Sequence, residues 1–478
     1  MSDAVSAAAS TAARREALAL RLAGGLYGLV LAGLSCLHAL TLKQPYGQDL
    51  SFFTQLSWSV SRGEGFHQTV IAHERASGLL DLTHFVPGLA IWSPLQWLAP
   101  GPFALQALQG MLWGLGLIPL VRLAAAAGGH RSWGLFGGAL YALHPLGIGV
   151  ALMDFRPGVI AAPLLLFCLD FLRQRRPGAA MICALAALAG REDVVVTLAA
   201  LAPLSWALAA PAGERARWLA RLEAAAWPVA AAAAWAAVVI AARGQLSNFA
   251  GSGHLREALE TFRLNPEISR ALPVLLAPVL PTALLAPEAL APVGVVLFGV
   301  YVLAGRAVDP HLDIGMHYFA LFAPLLILGA CLGAGRLLRL LKTSSDRSRR
   351  GLMAALAICA LATVPWGAAN TRRVPSVLQH HAEHWGHTSA LLTLARVVPP
   401  DAAVIANDRV LPLLAAREHA VWPDPPAGAL YREAMAEATW ALIVVGQEAK
   451  LPGSDWALVG ATREYQLMRR EPRGDPKR

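Results

Sequence analysis

Long apolar runs recur along the whole chain, separated by short polar or basic segments. Many of them are close to 20 residues long, which is about the length that crosses a bilayer as a helix. The runs that fit this reading cover residues 22–42, 103–121, 132–150, 158–172, 179–190, 194–210, 224–242, 271–286, 289–304, 317–335 and 351–369. The pattern predicts an all-α polytopic transmembrane bundle of about 11 spans.

The apolar segment 84–99 differs from these runs because it is short and contains Pro87 and Pro94. Backbone that is not helical is tolerated at membrane depth only where protein or a water-filled cavity satisfies its polar groups. We therefore expect a re-entrant or interfacial segment here and not a full crossing.

Four basic clusters orient the bundle, at residues 14–21, 173–176, 215–221 and 336–350. The positive-inside rule places them in the cytoplasm. With a cytoplasmic N-terminal segment 1–21, alternating spans put the first loop 41–83 and the tail 370–478 on the outer side. This arrangement predicts a multi-pass protein of the bacterial cytoplasmic (inner) membrane.

The tail after the last apolar run has mixed charge and a different pattern. Residues 402–406 and 441–445 are short apolar runs that suit buried strands, 456–470 has the pattern of a strand hairpin, and 431–438 has helical character. We expect a small extracytoplasmic α/β domain at 370–478, following a transmembrane domain at 22–369.

The composition supports this class of protein and excludes others. The chain has 478 residues, of which 56% are hydrophobic and 15% charged, whereas soluble proteins have about 25% charged residues. A cytosolic enzyme, a disordered chain and a coiled coil are therefore excluded. The net charge is +9, but the basic residues lie between apolar runs, so we predict no nucleic-acid partner. The five cysteines all lie inside apolar stretches, and no metal site is predicted.

Ionisable residues near membrane depth are costly and therefore informative. The outer turns contain several acids with a nearby arginine or histidine, in the segments YGQDLSFFTQLSWSVSRGEGFHQ, DLTHFVP, MDFRPG, GREDVV and GRAVDPHLDIGMHYF. The candidate site residues are Asp49, His84, Asp154, Arg156, Arg191, Glu192, His317 and Tyr318. Each could be a solvated helix cap, but the turns at 153–157 and 191–193 are too short to project far into water. We expect Asp49, His84, Asp154, Arg156 and Glu192 to line one cavity that opens to the outer face.

The first outer loop has its own pattern, because residues 50–60 alternate aromatic and polar side chains. That alternation predicts an amphipathic helix in the membrane interface, beginning next to Asp49.

A pocket of carboxylates with Arg and His suits one kind of chemistry. A carboxylate can take the proton of an acceptor hydroxyl, and Arg or His can neutralise a phosphate leaving group. Ion-coupled transport uses the same residue types, so these residues by themselves leave a transporter open. A transporter would be expected to bury its charges near the midplane, often within inverted repeats, whereas here the acids lie at outer turns and no repeat is evident.

The ordered segments QDLSFFTQLSWSVSRGEGF, LTHFVPGLAIWSPL, MDFRPGVIAAPLLL, GREDVVV and MHYFALFAPLL carry a resemblance. From about residue 48 to the end of the last span, the chain resembles a family of bacterial polytopic membrane proteins classed as a domain of unknown function. That family is distantly similar to the C-superfamily (GT-C) glycosyltransferases, which include the protein O-mannosyltransferases and the aminoarabinose transferase of lipid A.

The resemblance implies a GT-C-like fold and transfer of a sugar from a polyprenyl-phosphate donor to an acceptor at the outer face. Asp49 matches the essential acid of the first outer loop and would be the catalytic base. The other candidate residues would bind substrate or phosphate. A polyprenyl-phosphate-linked sugar and membrane lipid are the expected partners. No cofactor is expected, although a divalent metal stays open. The alternatives are a transporter or lipid-handling protein, and a GT-C-fold scaffold without activity.

Overall fold

The structure is a computed structural model, and most of the chain in it is helical. It describes residues 2–40, 47–71, 78–82, 85–192, 194–209, 214–244, 280–304, 320, 322–341, 373–407, 409–422, 435–447 and 451–471.

Helices make up most of the described residues in the first half of the chain. They are α1 (Ser2–Leu40), α2 (Gly47–Ser61), α3 (Gly88–Trp92), α4 (Leu95–Leu98), α5 (Pro102–Leu115), α6 (Leu117–Gly128), α7 (Arg131–Leu143), α8 (Pro145–Ala151), α9 (Pro157–Arg173), α10 (Pro177–Leu188), α11 (Val194–Ala200), α12 (Ala202–Leu208) and α13 (Glu214–Arg243). The later helices are α14 (Leu280–Ala283), α15 (Pro287–Ala304), α16 (Phe322–Leu341), α17 (Arg373–Val397) and α18 (Leu411–Leu414).

Three stretches of helix among the described residues are long and apolar enough to cross a membrane. They are Thr11–Leu40 within α1, Pro102–Gly128 across α5 and α6, and Trp218–Arg243 within α13. Other predicted spans are divided: 132–150 breaks between α7 and α8, and 194–210 breaks between α11 and α12. Pro145 and Pro203 stand at the start of the second helix in each case, where a missing N–H costs least. The predicted span 351–369 lies outside the described residues, and the number of crossings stays a prediction.

The chain divides into two compact units. The first comprises Met1–Gly33, Gln109–Ala151 and Pro157–Arg372, and the second comprises Leu34–Leu108, Leu152–Arg156 and Arg373–Arg478. The C-terminal α/β segment and the described residues of the loop 41–83 therefore belong to the same unit. The domain boundaries at 22, 369 and 370 stay predictions.

Close helix contacts at glycine characterise the first unit. Gly28 of α1 and Gly114 of α5 face each other so closely that a Cβ added at Gly114 would lie 2.2 Å from the Gly28 Cα. Small residues allow backbones to approach in this way, which is how helices associate in lipid. The α6–α7 pair uses the same device, because a Cβ at Gly137 would lie 2.7 Å from the Cβ of Ala124.

In the second unit the described residues 85–99 form two short helices, α3 and α4, and no crossing helix. Pro87 and Pro94 each stand immediately before one of them. Leu89 and Trp92 are buried, whereas Trp97 and Leu98 are largely exposed. This agrees with the expectation that the segment does not cross as a full helix.

In the described part of the tail, five strands form a sheet with the order β2-β1-β3-β5-β4. The strands are β1 (Val404–Ala406), β2 (Ala420–Val421), β3 (Trp440–Val444), β4 (Trp456–Ala461) and β5 (Tyr465–Arg470). β1 pairs in parallel with β2 and β3, while β4 and β5 form the antiparallel hairpin expected at 456–470. The core of this part contains Ile405, Val421, Ala441 and Ile443. The strand predictions at 402–406 and 441–445 agree with β1 and β3.

Arg417 is a buried arginine that links the segments around the sheet by hydrogen bonds. The Arg417 guanidinium donates hydrogen bonds to the carbonyl oxygens of Leu414 at 2.5 Å, Pro399 at 3.0 Å and Ala402 at 3.0 Å. Burial lowers the pKa of Arg417 to about 10, so the side chain stays charged at neutral pH and keeps these donors.

Candidate active site

Asp49 lies near the start of α2, a helix of the second unit. The helix begins at Gly47, and Asp49 lies in its first turn. An acid is favoured there because the first N–H groups of a helix carry partial positive charge. The Asp49 side chain is 32% exposed, so its carboxylate is accessible to a ligand.

Arg156 comes to this carboxylate from a different part of the chain. It ends the irregular segment between α8 and α9, and the following Pro157 disfavours a helical backbone at this position. Arg156 Nη2 lies 2.5 Å from Asp49 Oδ2, and its side chain is 18% exposed. Of the five residues expected to line one cavity, Asp49 and Arg156 are therefore in direct contact.

Aromatic packing holds the two segments together. Phe155 is completely buried and packs edge to face against Phe53 of α2, with ring centroids 5.7 Å apart, and against Trp92 of α3, at 6.3 Å. Asp49 and Phe53 are four residues apart and therefore lie on the same face of α2. The ion pair and the ring contact thus join the same two segments side by side.

Gln106 supports the segment from another direction. Its Nε2 donates a hydrogen bond to the carbonyl oxygen of Met153 at 3.3 Å, and its Oε1 accepts one from Ser35 Oγ at 3.0 Å. The backbone that carries Arg156 is consequently tied to α1 and α5 as well as to α2.

Asp154 lies two residues before Arg156 and is 2% exposed. This burial contradicts the alternative that Asp154 is a solvated cap, because a solvated carboxylate would be accessible to water. Asp154 is therefore close in sequence to Arg156, one member of the ion pair.

Arg191 and Glu192 belong to the first unit. The Arg191 side chain lies over Gly158 at the start of α9, where an added Cβ would come within 3.2 Å of Arg191 Cδ. Glu192 is buried and precedes α11. Their part in the site stays a prediction. His84, His317 and Tyr318 lie outside the described residues.

Residues 50–60 do not have the exposed face expected of an amphipathic helix in the membrane interface. The helix forms, but both kinds of side chain are buried, including Leu50, Phe53, Ser51 and Gln55. The reason is that α2 packs against protein on several sides, among them α3 and the short helix α18. A pattern of alternating aromatic and polar residues does not distinguish a lipid surface from a polar protein surface.

Several residues that shape this site were not among the sequence candidates: Phe53, Phe155, Gln106 and Gln55. Phe155 stands between two candidates in MDFRPG, and that position was the available signal. The roles of Gln106 and Gln55 depend on contacts with distant segments, for which the sequence offers no signal.

The arrangement combines a carboxylate with a guanidinium at one accessible position. The carboxylate can accept a proton from a hydroxyl group. The guanidinium has five N–H donors, so it can hold an anionic oxygen while it contacts Asp49. Within the described ranges, no group of three or more His, Cys, Asp and Glu side chains is placed to hold a metal ion.

Comparison with protein families identifies the chain. A family model described as "Predicted membrane protein (DUF2079)" matches residues 46–247 and 258–443. The chain belongs to the DUF2079 family. The resemblance inferred from the outer-loop segments is thereby confirmed, and the protein is a membrane protein. A comparison with curated proteins finds no match.

Solved structures show which fold this DUF2079 protein has. It is similar to ArnT from Cupriavidus metallidurans bound to undecaprenyl phosphate, with 14% identity and a TM-score of 0.54, over 93% of this chain and 97% of that one. The apo state of ArnT matches with 14% identity and a TM-score of 0.52, over 96% and 98% of the two chains. The Archaeoglobus fulgidus oligosaccharyltransferase in complex with Zn and sulfate matches at 11% identity and a TM-score of 0.43, over 87% and 68%. The two ArnT structures show a membrane glycosyltransferase-like, GT-C fold.

Proposed function

We propose that this DUF2079 protein is a membrane glycosyltransferase that moves a sugar from a polyprenyl-phosphate donor to an acceptor hydroxyl. The observation that carries the proposal is the contact of Arg156 with Asp49 at 2.5 Å in a chain of GT-C fold. The undecaprenyl phosphate bound to ArnT supports a lipid phosphate as the donor's carrier.

In the proposed reaction Asp49 acts as the general base. Its carboxylate accepts the proton of the acceptor hydroxyl while that oxygen forms a bond to the anomeric carbon. The bond from the anomeric carbon to the phosphate oxygen breaks, and the electron pair leaves with polyprenyl phosphate. Arg156 stabilises the phosphate by charge-assisted hydrogen bonds. No metal has a step in this scheme.

The remaining candidates are proposed to bind substrate or phosphate around this pair: His84, Asp154, Arg191, Glu192, His317 and Tyr318. The site is proposed to face the outer side of the bacterial cytoplasmic membrane, with the N-terminus in the cytoplasm and the tail outside. That orientation rests on the basic clusters of the sequence and suits a lipid-linked donor, whose phosphate lies at the membrane surface.

The test is the substitution Asp49→Asn, which keeps the shape of the side chain and removes its charge. Purified protein in proteoliposomes would be given a panel of undecaprenyl-phosphate-linked hexoses, with membrane extract as the source of acceptor. The released undecaprenyl phosphate is measured. Loss of a general base should lower turnover by about 10²–10⁴-fold, with folding and membrane insertion retained.

The matched control is Glu64→Gln in the same loop. Glu64 also pairs with an arginine, since Arg62 Nε lies 3.2 Å from its Oε1. However, the Arg62 side chain is 60% exposed and the Glu64 side chain is 40% exposed. This variant should keep wild-type turnover. An Asp49→Asn protein with wild-type transfer would show that Asp49 serves the first turn of α2 and is not a base. A wild-type protein that releases no undecaprenyl phosphate from the panel would contradict the proposed function.

A further inference from the structure

Gln55 is the centre of a buried hydrogen-bond cluster in the second unit. Its side chain is fully buried. Its Nε2 donates to Thr69 Oγ1 at 3.0 Å and to the carbonyl oxygens of Arg417 at 3.0 Å and Glu418 at 2.9 Å. Its Oε1 accepts from the backbone N–H groups of Thr69 at 2.7 Å and Val70 at 3.2 Å. Both the nitrogen and the oxygen of the Gln55 amide therefore form hydrogen bonds.

Thr69 extends this cluster to the edge strand of the sheet. Its Oγ1 donates to the Ala420 carbonyl oxygen and accepts from the Ala420 N–H, both at 3.1 Å. The Trp422 N–H also donates to the Val70 carbonyl oxygen at 3.4 Å. The loop 41–83 is thus bonded to the segment 417–422 of the tail.

Gln55 and Asp49 use different faces of α2. At 100° per residue, a separation of six residues places their side chains about 120° apart around the helix axis. The Asp49 face is held by Arg156 and, through Phe53, by Phe155. The Gln55 face is held by the segment 417–422. Contacts on two faces fix the rotation of a helix about its axis, which one face alone does not.

We propose that Gln55 and Thr69 are positioning residues, and that the C-terminal segment 417–422 acts through them to set the direction of the Asp49 carboxylate. The proposal rests on the proposed function of Asp49 as a base. A rotation of about 20° would move a group at a radius of roughly 5 Å by nearly 2 Å. A misplacement of about 1 Å can cost about 10²-fold in rate. The tail therefore contributes to the position of the catalytic base and is not a functionally separate domain.

The first variant is Gln55→Met, which keeps the length of the side chain and removes every hydrogen bond of the amide. Turnover should fall by about 10-fold to 10²-fold, whereas the KM for the lipid-linked donor should change by less than about threefold, since Arg156 is untouched. The matched control is Gln96→Met. Gln96 is also buried and also uses both amide atoms, bonding Gly101 O at 3.1 Å and Gly101 N at 2.9 Å, but it lies on α4.

A pair of variants at Thr69 tests for rescue. Thr69→Val keeps the shape and removes the hydroxyl, so it should lower turnover in the same way as Gln55→Met. Thr69→Ser keeps the hydroxyl and should restore turnover to within about threefold of wild type. Equal losses in the Val and Ser variants would overturn the role of the hydroxyl.

Hydrogen exchange separates this proposal from the proposed function, because it needs no turnover. Amides of residues 50–60 should exchange faster in Gln55→Met than in wild type, and at the wild-type rate in Gln96→Met. Unchanged exchange in Gln55→Met would overturn the positioning role whether or not the protein is an enzyme. Faster exchange with unchanged turnover would also overturn it, since α2 would then be loosened without effect on Asp49. A wild type without transfer activity but with the expected exchange pattern would refute the proposed function, leaving Gln55 a purely structural contact.

Discussion

The rings of Phe53 and Phe155 meet edge to face, with their centroids 5.7 Å apart, directly beside the contact between Asp49 and Arg156. Each ring belongs to the same short segment as one member of the ion pair. Edge-to-face pairs contribute about 0.5–1.5 kcal/mol beyond the area that they bury. The ring pair therefore supports the geometry of two charged groups that are only partly shielded from water.

Phe155→Ala should destabilise the protein strongly. Phe155 is completely buried, and Phe→Ala substitutions in cores cost about 3–5 kcal/mol. The loss should appear as a lower melting temperature of the purified protein in detergent. Leu98→Ala in α4 is the control, because Leu98 is 83% exposed. Similar melting shifts in the two variants would contradict the role of Phe155 as an anchor.

Arg156→Gln should raise the KM for the donor and also lower turnover, because the phosphate is charged both before and during transfer. We expect kcat/KM to fall by roughly 10²–10³-fold, as when a preorganised donor is removed. Arg156→Lys keeps the charge but not the planar fork of donors, so its kcat/KM should lie between wild type and Arg156→Gln. Steady-state kinetics with the lipid-linked donor measure both constants. An unchanged KM in Arg156→Gln would argue against phosphate binding at this side chain.

Gly114→Ala should push α1 and α5 apart. The added Cβ would lie 2.2 Å from the Gly28 Cα, and overpacking of this kind costs about 1–3 kcal/mol. The control is Gly25→Ala, since a Cβ at Gly25 meets nothing within 4 Å and alanine favours helix. Melting followed by size-exclusion chromatography should show a loss for Gly114→Ala alone. A stable Gly114→Ala protein would mean that the two helices are not in contact at this position.

The tail should face the outside of the membrane. The expectation rests on the basic cluster at 336–350, followed by one further apolar run at 351–369. A reporter enzyme that is active only in the periplasm, fused after Arg478, should be active. Activity only of a cytoplasmic reporter at that position would reverse the assignment of every outer loop.

Much of the fold follows from patterns that one stretch of sequence contains. The long apolar runs indicated a membrane protein, the two prolines of 84–99 indicated a segment that does not cross as a full helix, and the pattern at 456–470 indicated a hairpin. The segments QDLSFF, MDFRPG and GREDVV, among others, indicated a family of bacterial polytopic membrane proteins of unknown function and, through it, a GT-C-like fold. These properties are local because they depend on the free energy of placing one segment in water, lipid or a strand pair.

The candidate site could be predicted only in part from such local patterns. Asp49 and Arg156 were candidates because an ionisable residue at the end of an apolar helix is costly and needs a reason. Their direct contact required the structure, since many conformations of the intervening chain are compatible with the same sequence pattern. The burial of Ser51 and Gln55 on α2 also required it, because a polar side chain can be satisfied by water, a headgroup or protein.

The sequence by itself determined the class of protein, the approximate helices, the strands of the tail and the polar turns in which chemistry should be sought. Only the tertiary structure decided that Arg156 pairs with Asp49, that Phe155 anchors this pair, and that Gln55 ties α2 to residues 417–422. The physical reason is that hydropathy is a property of each residue, whereas a hydrogen bond or ion pair depends on the distance and direction between two groups. For groups far apart in the chain, that geometry is set by the packing of all the segments between them.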